Sequence, residues 1–226
     1  FDGCTRTKLC SPPLDFGMSP SSDHTTRRRV LRAAGAGAIA ALGGCLGALD
    51  SGGDSGPAPD PVDLSGTKFD YEGGMEIGRH GGPNGQIFYA DNEPETPHDP
   101  GDAPEARDDL AWFHTLVFGL FPYHLDRLDD GWEAEAIYAT DYSTVDWELS
   151  GDAQNQQMPA PTAADTFADA TELTYVAESG VRGGMGPELL PFSAEGDAEA
   201  FVENHGGQTI SFDDIDRRLV NSLQGM

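Results

Sequence analysis

Short apolar runs separated by polar and glycine-rich stretches dominate the chain beyond about residue 66. Where these runs are continuous or alternate with polar residues, they predict β-strands, at residues 86–90, 136–140, 172–177, 189–192 and 208–212. Apolar residues at helical spacing predict α-helices over residues 109–120 and 197–205. We expect Ser193 to cap the second helix and the following Gly206-Gly207 pair to end it.

The two halves of the chain beyond about residue 66 are predicted to contain the same order of secondary-structure elements. Gly73-Gly74-Met75 and Gly183-Gly184-Met185 lie 110 residues apart, and each half is predicted to contain a strand, the Gly-Gly-Met turn, a strand, a helix and a strand. We therefore predict an α+β fold of two small ββαβ-like units packed together, the first over residues 66–145 and the second over residues 146–220.

The N-terminal region carries export signals in place of core residues. Residues 26–32, Thr-Arg-Arg-Arg-Val-Leu-Arg, resemble the twin-arginine signal motif, and the Ala/Gly-rich run that follows is too short and too weakly apolar to span a bilayer. Residues 18–44 are therefore predicted to be a removable signal peptide. Because Leu42-Gly43-Gly44-Cys45 resembles a lipobox, Cys45 is predicted to carry a lipid that holds the protein on the outer face of the cytoplasmic membrane.

Two further stretches flank this signal. Residues 1–17 begin with Phe and carry no pattern, so we interpret them as a gene-start overrun. Residues 45–65 are rich in Gly, Asp, Ser and Pro and contain almost nothing apolar, so they cannot repay the entropy of ordering and are predicted to be a flexible tether.

The acidic charge limits the partners and indicates the environment. The 226 residues contain 13 Lys and Arg against 39 Asp and Glu, a formal net charge of −26, and part of this charge lies in a Pro- and acid-rich surface loop over residues 91–108. Nucleic acid binding needs a basic face, so that class of partner is excluded. Because molar salt screens repulsion between exposed carboxylates, this composition is typical of a protein from a halophile.

The chemistry available to the body excludes several classes of site. All three cysteines lie at or before Cys45, so the mature body has no thiol and no disulfide. The sequence contains no Gly-x-Ser-x-Gly elbow, no short zinc-ligand spacing and no phosphate-binding glycine loop. We therefore expect neither a hydrolase nor a nucleotide-binding protein.

Thioether sulfur is the remaining unusual donor. Met75 and Met185 occupy equivalent turns, where paired glycines let the backbone approach closely. A neutral, polarisable sulfur suits Cu(I) and is a poor ligand for Mg²⁺, Ca²⁺ or Zn²⁺. A methionine beside glycine is more often a residue that fills a gap in the core, so spacing alone leaves both interpretations open.

Several motifs together resemble the NosL family, in a haloarchaeal form. They cover nearly all of residues 70–215 and comprise Gly74-Met75, Pro83–Tyr89, Ile137–Ser143, Gly184–Ser193, Ala198–Phe201, His205–Gly207 and Phe212–Ile215. The resemblance implies two ββαβ-like units and a lipoprotein outside the cytoplasmic membrane. It also implies a protein that binds Cu(I) and delivers it, with an ABC-type membrane complex, to nitrous oxide reductase.

The resemblance also implies roles for individual residues. Met75 matches the methionine of the family's Cys-Gly-Met turn, and Met185 matches the methionine ahead of a Pro-Phe strand. This chain has Gly73 where many members have Cys, so the donor set is expected to be thioether with an imidazole, for which His80, five residues after Met75, is the candidate. His205 matches a position at a helix end, where a cation is favoured electrostatically, and is expected to be structural.

We therefore predict a copper chaperone that catalyses no reaction and uses Met75, Met185 and His80 to bind Cu(I). A membrane-anchored acidic interaction module with the same fold and no metal is the alternative, and the missing Cys at position 73 is its best support. A lyase like the organomercurial enzyme that shares the fold is disfavoured, because that cleavage depends on free cysteines.

Overall fold

A computed structural model describes residues 57–102 and 107–226 of the chain, all within a unit that extends from Gly53 to Met226. The predicted overrun, signal peptide and lipid attachment site at Cys45 lie outside these residues. The described elements are strands β1 (Gly85–Tyr89), β2 (Leu110–Phe113), β3 (Ala134–Thr140), β4 (Phe167–Asp169), β5 (Thr174–Ala177), β6 (Leu190–Phe192) and β7 (Gln208–Ser211), and helices α1 (Phe121–Asp129), α2 (Glu195–His205) and α3 (Arg217–Gln224). Helices and antiparallel sheets together confirm the predicted α+β class.

The larger sheet is antiparallel, with strand order β2-β1-β3-β4. All five residues of β1 are buried, and Ile87 lies opposite Ala111 of β2 and Ile137 of β3. The buried amide of Gln86 exchanges two hydrogen bonds with the backbone of Val62, at 2.8 and 2.9 Å. A strand buried on both faces thus forms the centre of this sheet.

The smaller sheet is also antiparallel, with order β6-β5-β7. Tyr175 in the central strand lies opposite Pro191 and Ile210. Helix α2 packs on β5 and β6, and its Phe201 contacts Phe192 with ring centroids 5.4 Å apart. The second Gly-Gly-Met sequence lies between β5 and β6 and is therefore positioned by this sheet.

The helix predicted over residues 109–120 is wrong. Residues 110–113 form strand β2, and a five-residue π-helical turn, Leu116–Leu120, then leads into helix α1. All four residues of β2 are buried, and such a continuous apolar run does not distinguish a buried strand from a helix. The backbone changes direction at Thr115, which is extended and whose side chain accepts a hydrogen bond from the Phe118 N–H.

The second predicted helix is present, but its cap is not Ser193. Helix α2 begins at Glu195 after Ala194, which makes no capping hydrogen bond. The Ser193 N–H donates instead to the Asp141 carboxylate, at 2.8 Å, so the residue is held by the end of β3. Gly206, with φ of 75°, ends the helix as expected.

The described end of the predicted tether packs against the body. Leu64 is fully buried, and its N–H donates to Thr162 O at 2.8 Å. Tyr138 Oη donates to Pro59 O at 2.7 Å. Ordered packing therefore begins before residue 66, because Val62 and Leu64 supply apolar contacts that the sparse composition of this stretch did not suggest.

Helices α1 and α3 were not predicted, and they pack on each other. Arg217 at the start of α3 forms ion pairs with Asp126 and Asp129 of α1, each at 2.7 Å. Across residues 57–102 and 107–226, none of the helices has the length and apolar character needed to cross a bilayer.

Candidate metal centre

Two chain segments carry the repeated Gly-Gly-Met sequences. The first methionine segment, residues 70–82, precedes β1, and the second methionine segment, residues 182–189, precedes β6. Each is a loop held by backbone hydrogen bonds, including Asp70 N to Met75 O at 2.8 Å in the first and Gly183 N to Gly186 O at 2.9 Å in the second.

The two segments are in direct contact through glycine backbone. A methyl group at Gly82 would lie only 2.8 Å from the Cα of Gly183, and one at Gly184 would lie 2.5 Å from the Cβ of His80. Gly82 also has a φ of +112°, which other residues adopt at a cost. Gly82 of the first segment and Gly183 and Gly184 of the second therefore let two backbones approach to a distance that side chains would prevent.

A third loop ties the two segments together. Gly82 N donates to Met158 O, and Arg182 N donates to Gln156 O, both at 2.9 Å. Met158 itself is fully buried in the core around Phe192 and is therefore inaccessible from solvent.

The predicted sulfur and imidazole donors differ in exposure. Met185 is 47% exposed, Met75 is partly buried and His80 is exposed. The structure thus brings the segments of all three predicted ligands into contact and leaves both thioethers outside the hydrophobic core.

A buried carboxylate fixes the first segment to the end of β2. Asp70 is fully buried, and its Oδ1 accepts hydrogen bonds from the N–H groups of Glu72 and Gly73, at 2.8 and 2.6 Å. Its Oδ2 accepts from the backbone N–H of His114 at 2.8 Å and lies 2.9 Å from Nδ1 of the same residue. Each carboxylate oxygen of Asp70 therefore contacts two nitrogen groups.

A second buried carboxylate plays the corresponding part for the second segment. Glu188 Oε1 accepts from the N–H groups of Val117 and Leu189, at 2.9 and 3.0 Å, and Oε2 is hydrogen-bonded to the Thr115 hydroxyl. Burial raises the pKa of Glu188 to about 7, although these three hydrogen bonds and His114 oppose the shift. The first segment is thus bonded to His114 through Asp70. The second segment is bonded to the next residue, Thr115, through Glu188.

His114 is a candidate donor that the sequence analysis missed. Its ring is buried, and because Nδ1 is paired with Asp70, Nε2 is left as the buried ring nitrogen without a hydrogen-bond partner among the described residues. The ring centroid lies 6.5 Å from that of His80, one of the predicted ligands. Nothing local marks His114, since its partner Asp70 lies 44 residues earlier in the chain.

A second histidine lies against the first segment. The His98 ring covers Gly74, so that a methyl group there would lie 2.9 Å from His98 Cγ. The acidic loop that carries His98 is fastened by Thr96 Oγ1, which donates to Tyr71 O at 3.1 Å, and by Pro100 O, which accepts from Phe69 N at 3.0 Å. His205, by contrast, packs against Phe201 in helix α2, with the ring centroids 4.6 Å apart, in keeping with a structural role.

The chemistry of this centre is that of neutral donors. Its candidates are two thioethers and imidazoles, which suit a soft monovalent ion. Among residues 57–102 and 107–226, no three or more His, Cys, Asp and Glu side chains are grouped closely enough to hold a metal ion.

One protein family and two copper-binding lipoproteins are similar to this chain. A family model described as NosL matches residues 61–220. The chain is 38% identical over 58 residues to the copper-binding lipoprotein NosL of Stutzerimonas stutzeri, an alignment that covers 26% of this chain and 30% of the relative. It is 46% identical over 52 residues to the copper-binding lipoprotein NosL of Achromobacter cycloclastes, which covers 23% of this chain and 27% of the relative. The matched part is thus less than a third of either relative.

A solved structure is also similar. The crystal structure of the copper chaperone NosL from Shewanella denitrificans aligns with a TM-score of 0.49 and 22% identity, covering 71% of this chain and 96% of that chain.

Proposed function

The chain belongs to the NosL family, and we propose that it is an extracytoplasmic carrier that binds one Cu(I) ion and transfers it to another protein. The proposed ligands are the thioethers of Met75 and Met185 and the imidazole of His80. The function is coordination followed by transfer, and no reaction is catalysed.

The observation that carries this proposal is the contact between the two methionine segments. The backbones at Gly82 and Gly183 approach so closely that a methyl group on the first would overlap the second. The second Gly-Gly-Met turn therefore lies against residues 80–82, which follow the first Gly-Gly-Met turn by a few residues, and Met185 is 47% exposed. An arrangement of this kind supports capture of one ion between the turns, with access from solvent.

The donor chemistry suits a carrier. Thioether and imidazole are neutral, so a site built from them without a thiolate binds Cu(I) reversibly and can release it to a stronger acceptor. Gly73 stands where many members of the family have Cys, which makes the thioethers and imidazoles more important in this chain.

The proposed recipient is nitrous oxide reductase, reached together with an ABC-type membrane complex. The matched relatives are named copper-binding lipoproteins, which supports a copper cargo and a lipid anchor. We further propose export by the twin-arginine route through residues 18–44, attachment to the outer face of the cytoplasmic membrane at Cys45, and a high-salt environment for the acidic body.

A competition titration of the full chain with a chromophoric Cu(I) chelator tests this function. We expect one Cu(I) per chain, and we expect Met75→Leu and Met185→Leu each to weaken binding by at least about tenfold, because each removes one soft donor. Met226→Leu is the matched control, since Met226 is 71% exposed at the C-terminus and lies outside both segments.

Unchanged affinity in both test variants would reject these ligands. A wild-type chain that takes up no copper, either in the titration or in copper-fed cells, would instead favour the acidic interaction module.

A further inference from the structure

We infer that His114 is a further ligand of the transferred ion, binding through Nε2, and that Asp70 is the residue that positions it. This inference rests on the proposed function. It adds a buried imidazole to the exposed donors Met185 and His80.

Hydrogen bonds to Asp70 fix the orientation of the His114 ring. Asp70 Oδ2 lies 2.9 Å from His114 Nδ1 and also accepts the His114 backbone N–H at 2.8 Å. A carboxylate accepts hydrogen bonds and donates none, so in the neutral ring Nδ1 carries the proton and Nε2 carries the lone pair. The tautomer needed for metal binding at Nε2 is therefore fixed before the ion arrives.

The other ring nitrogen of His114, Nε2, has no protein partner among the described residues. Nε2 is buried and forms no hydrogen bond with the described residues, although buried polar atoms nearly always have a partner. Leaving such an atom unsatisfied costs on the order of 1–3 kcal/mol. A ligand that accepts the lone pair accounts for the arrangement, and a soft cation does so.

His114 lies between the two methionine segments and near His80. The oxygen of Asp70 that does not contact His114 is bonded to the first methionine segment, and the next residue, Thr115, is bonded to Glu188 of the second. The ring of His80 lies 6.5 Å from that of His114. Metal–nitrogen bonds of about 2 Å make this separation close to what one ion bridging two imidazoles requires.

A carboxylate-supported imidazole is a suitable ligand for copper. Imidazole binds copper well, and a carboxylate bonded to its other nitrogen orients the ring and increases its basicity. Loss of such a supporting carboxylate typically costs about 10–100-fold in metal affinity, so loss of the ligand itself should cost at least as much. The buried His114 imidazole thus adds a fixed ligand to a chain that has Gly73 where many family members have Cys.

The test begins with His114→Asn in the full chain. The asparagine amide keeps an N–H near the position of Nδ1 for Asp70 and has no atom at Nε2. We expect Cu(I) affinity to fall by at least about tenfold, while His205→Asn, in helix α2, leaves it unchanged. Equal affinities of wild type and a folded His114→Asn variant would overturn the inference.

A measurement on the wild-type chain does not depend on that variant folding. In ¹⁵N-labelled protein, ring correlation spectra of His114 should show a protonated Nδ1 and an unprotonated Nε2. Saturation with Cu(I), which is diamagnetic, should shift the Nε2 resonance. An Nε2 resonance identical in the free and saturated states would overturn the inference even if Met75 and Met185 are needed for binding, whereas a wild-type chain that binds no Cu(I) would overturn the proposed function as well.

Discussion

The two methionine segments share a Gly-Gly-Met sequence but differ in the exposure of the methionine and in the surroundings of the supporting carboxyl group. In the first, Met75 is partly buried, and the Asp70 carboxylate faces four donor groups. In the second, Met185 is 47% exposed, and burial raises the pKa of the supporting Glu188 carboxyl to about 7. In the carrier that we propose, the first segment provides the more buried methionine and the second provides the more exposed one.

The largest effect should come from replacing the two supporting carboxylates by amides. In Asp70→Asn, one carboxylate oxygen becomes an NH₂ group that must face two N–H donors, so we expect a loss of about 3–5 kcal/mol in the free energy of unfolding. In Glu188→Gln the NH₂ group can face Thr115, whose hydroxyl rotates to accept, so we expect a loss of about 1 kcal/mol or less. Urea denaturation near pH 6 measures both values, and equal losses would refute the difference between the segments.

The pH dependence of stability should distinguish the second segment. Between pH 4.5, the ordinary pKa of this carboxyl, and about 7, the folded protein holds a proton on Glu188 that the unfolded chain has lost. The free energy of unfolding should therefore fall as the pH rises through this range, by about 3 kcal/mol in all. Glu188→Gln should lack this component, so the wild type and the variant should diverge with pH. Parallel pH curves for the two proteins would contradict the raised pKa.

Forcing the two segments apart should both destabilise the fold and weaken metal binding. Gly82→Ala adds a methyl group 2.8 Å from the Cα of Gly183 at a φ of +112°, so we expect a loss of about 3 kcal/mol. Gly131→Ala is the control, because its φ is +82° and nothing lies within 4 Å of the added methyl group, leaving only the backbone cost of about 1–2 kcal/mol. Thermal or urea unfolding gives both values. Only Gly82→Ala should also weaken Cu(I) binding, and intact binding in that variant would argue against a site between the segments.

The smallest effects should come from the methionines themselves in the metal-free protein. Met185→Leu changes a half-exposed side chain and should alter stability by less than about 0.5 kcal/mol. Met75→Leu changes a partly buried one and should cost about 1 kcal/mol or less. Differential scanning calorimetry without copper checks both, and a large loss for Met185→Leu would mean that this residue is structural.

Much of the fold could be predicted from the spacing of apolar residues. The strands that became β1, β3, β5, β6 and β7, and helix α2 with its end at Gly206, are present within a few residues of the predicted bounds. Their signals are local, in the form of short apolar runs bounded by polar residues or glycine. The failure over residues 109–120 has a physical cause, because a strand buried on both faces and a helix show the same continuous apolar run.

The site could be predicted only in part. The repeated Gly-Gly-Met sequence indicated two related turns, and the structure shows the second turn in contact with residues 80–82 of the first methionine segment. The supporting residues could not be predicted, because Asp70 acts on a residue 44 positions away and Glu188 acts on Thr115 from 73 positions away. Ordinary acidic residues in an acidic chain carry no mark of such a role until the fold brings the partners together.

X-ray absorption at the copper K-edge of the Cu(I)-loaded full chain tests the central claim most directly, because it counts the sulfur atoms bound to the ion. The account predicts two sulfur ligands together with nitrogen in the wild type, and one sulfur ligand in each of Met75→Leu and Met185→Leu. A copper shell without sulfur, or two sulfur ligands that persist in both variants, would contradict it.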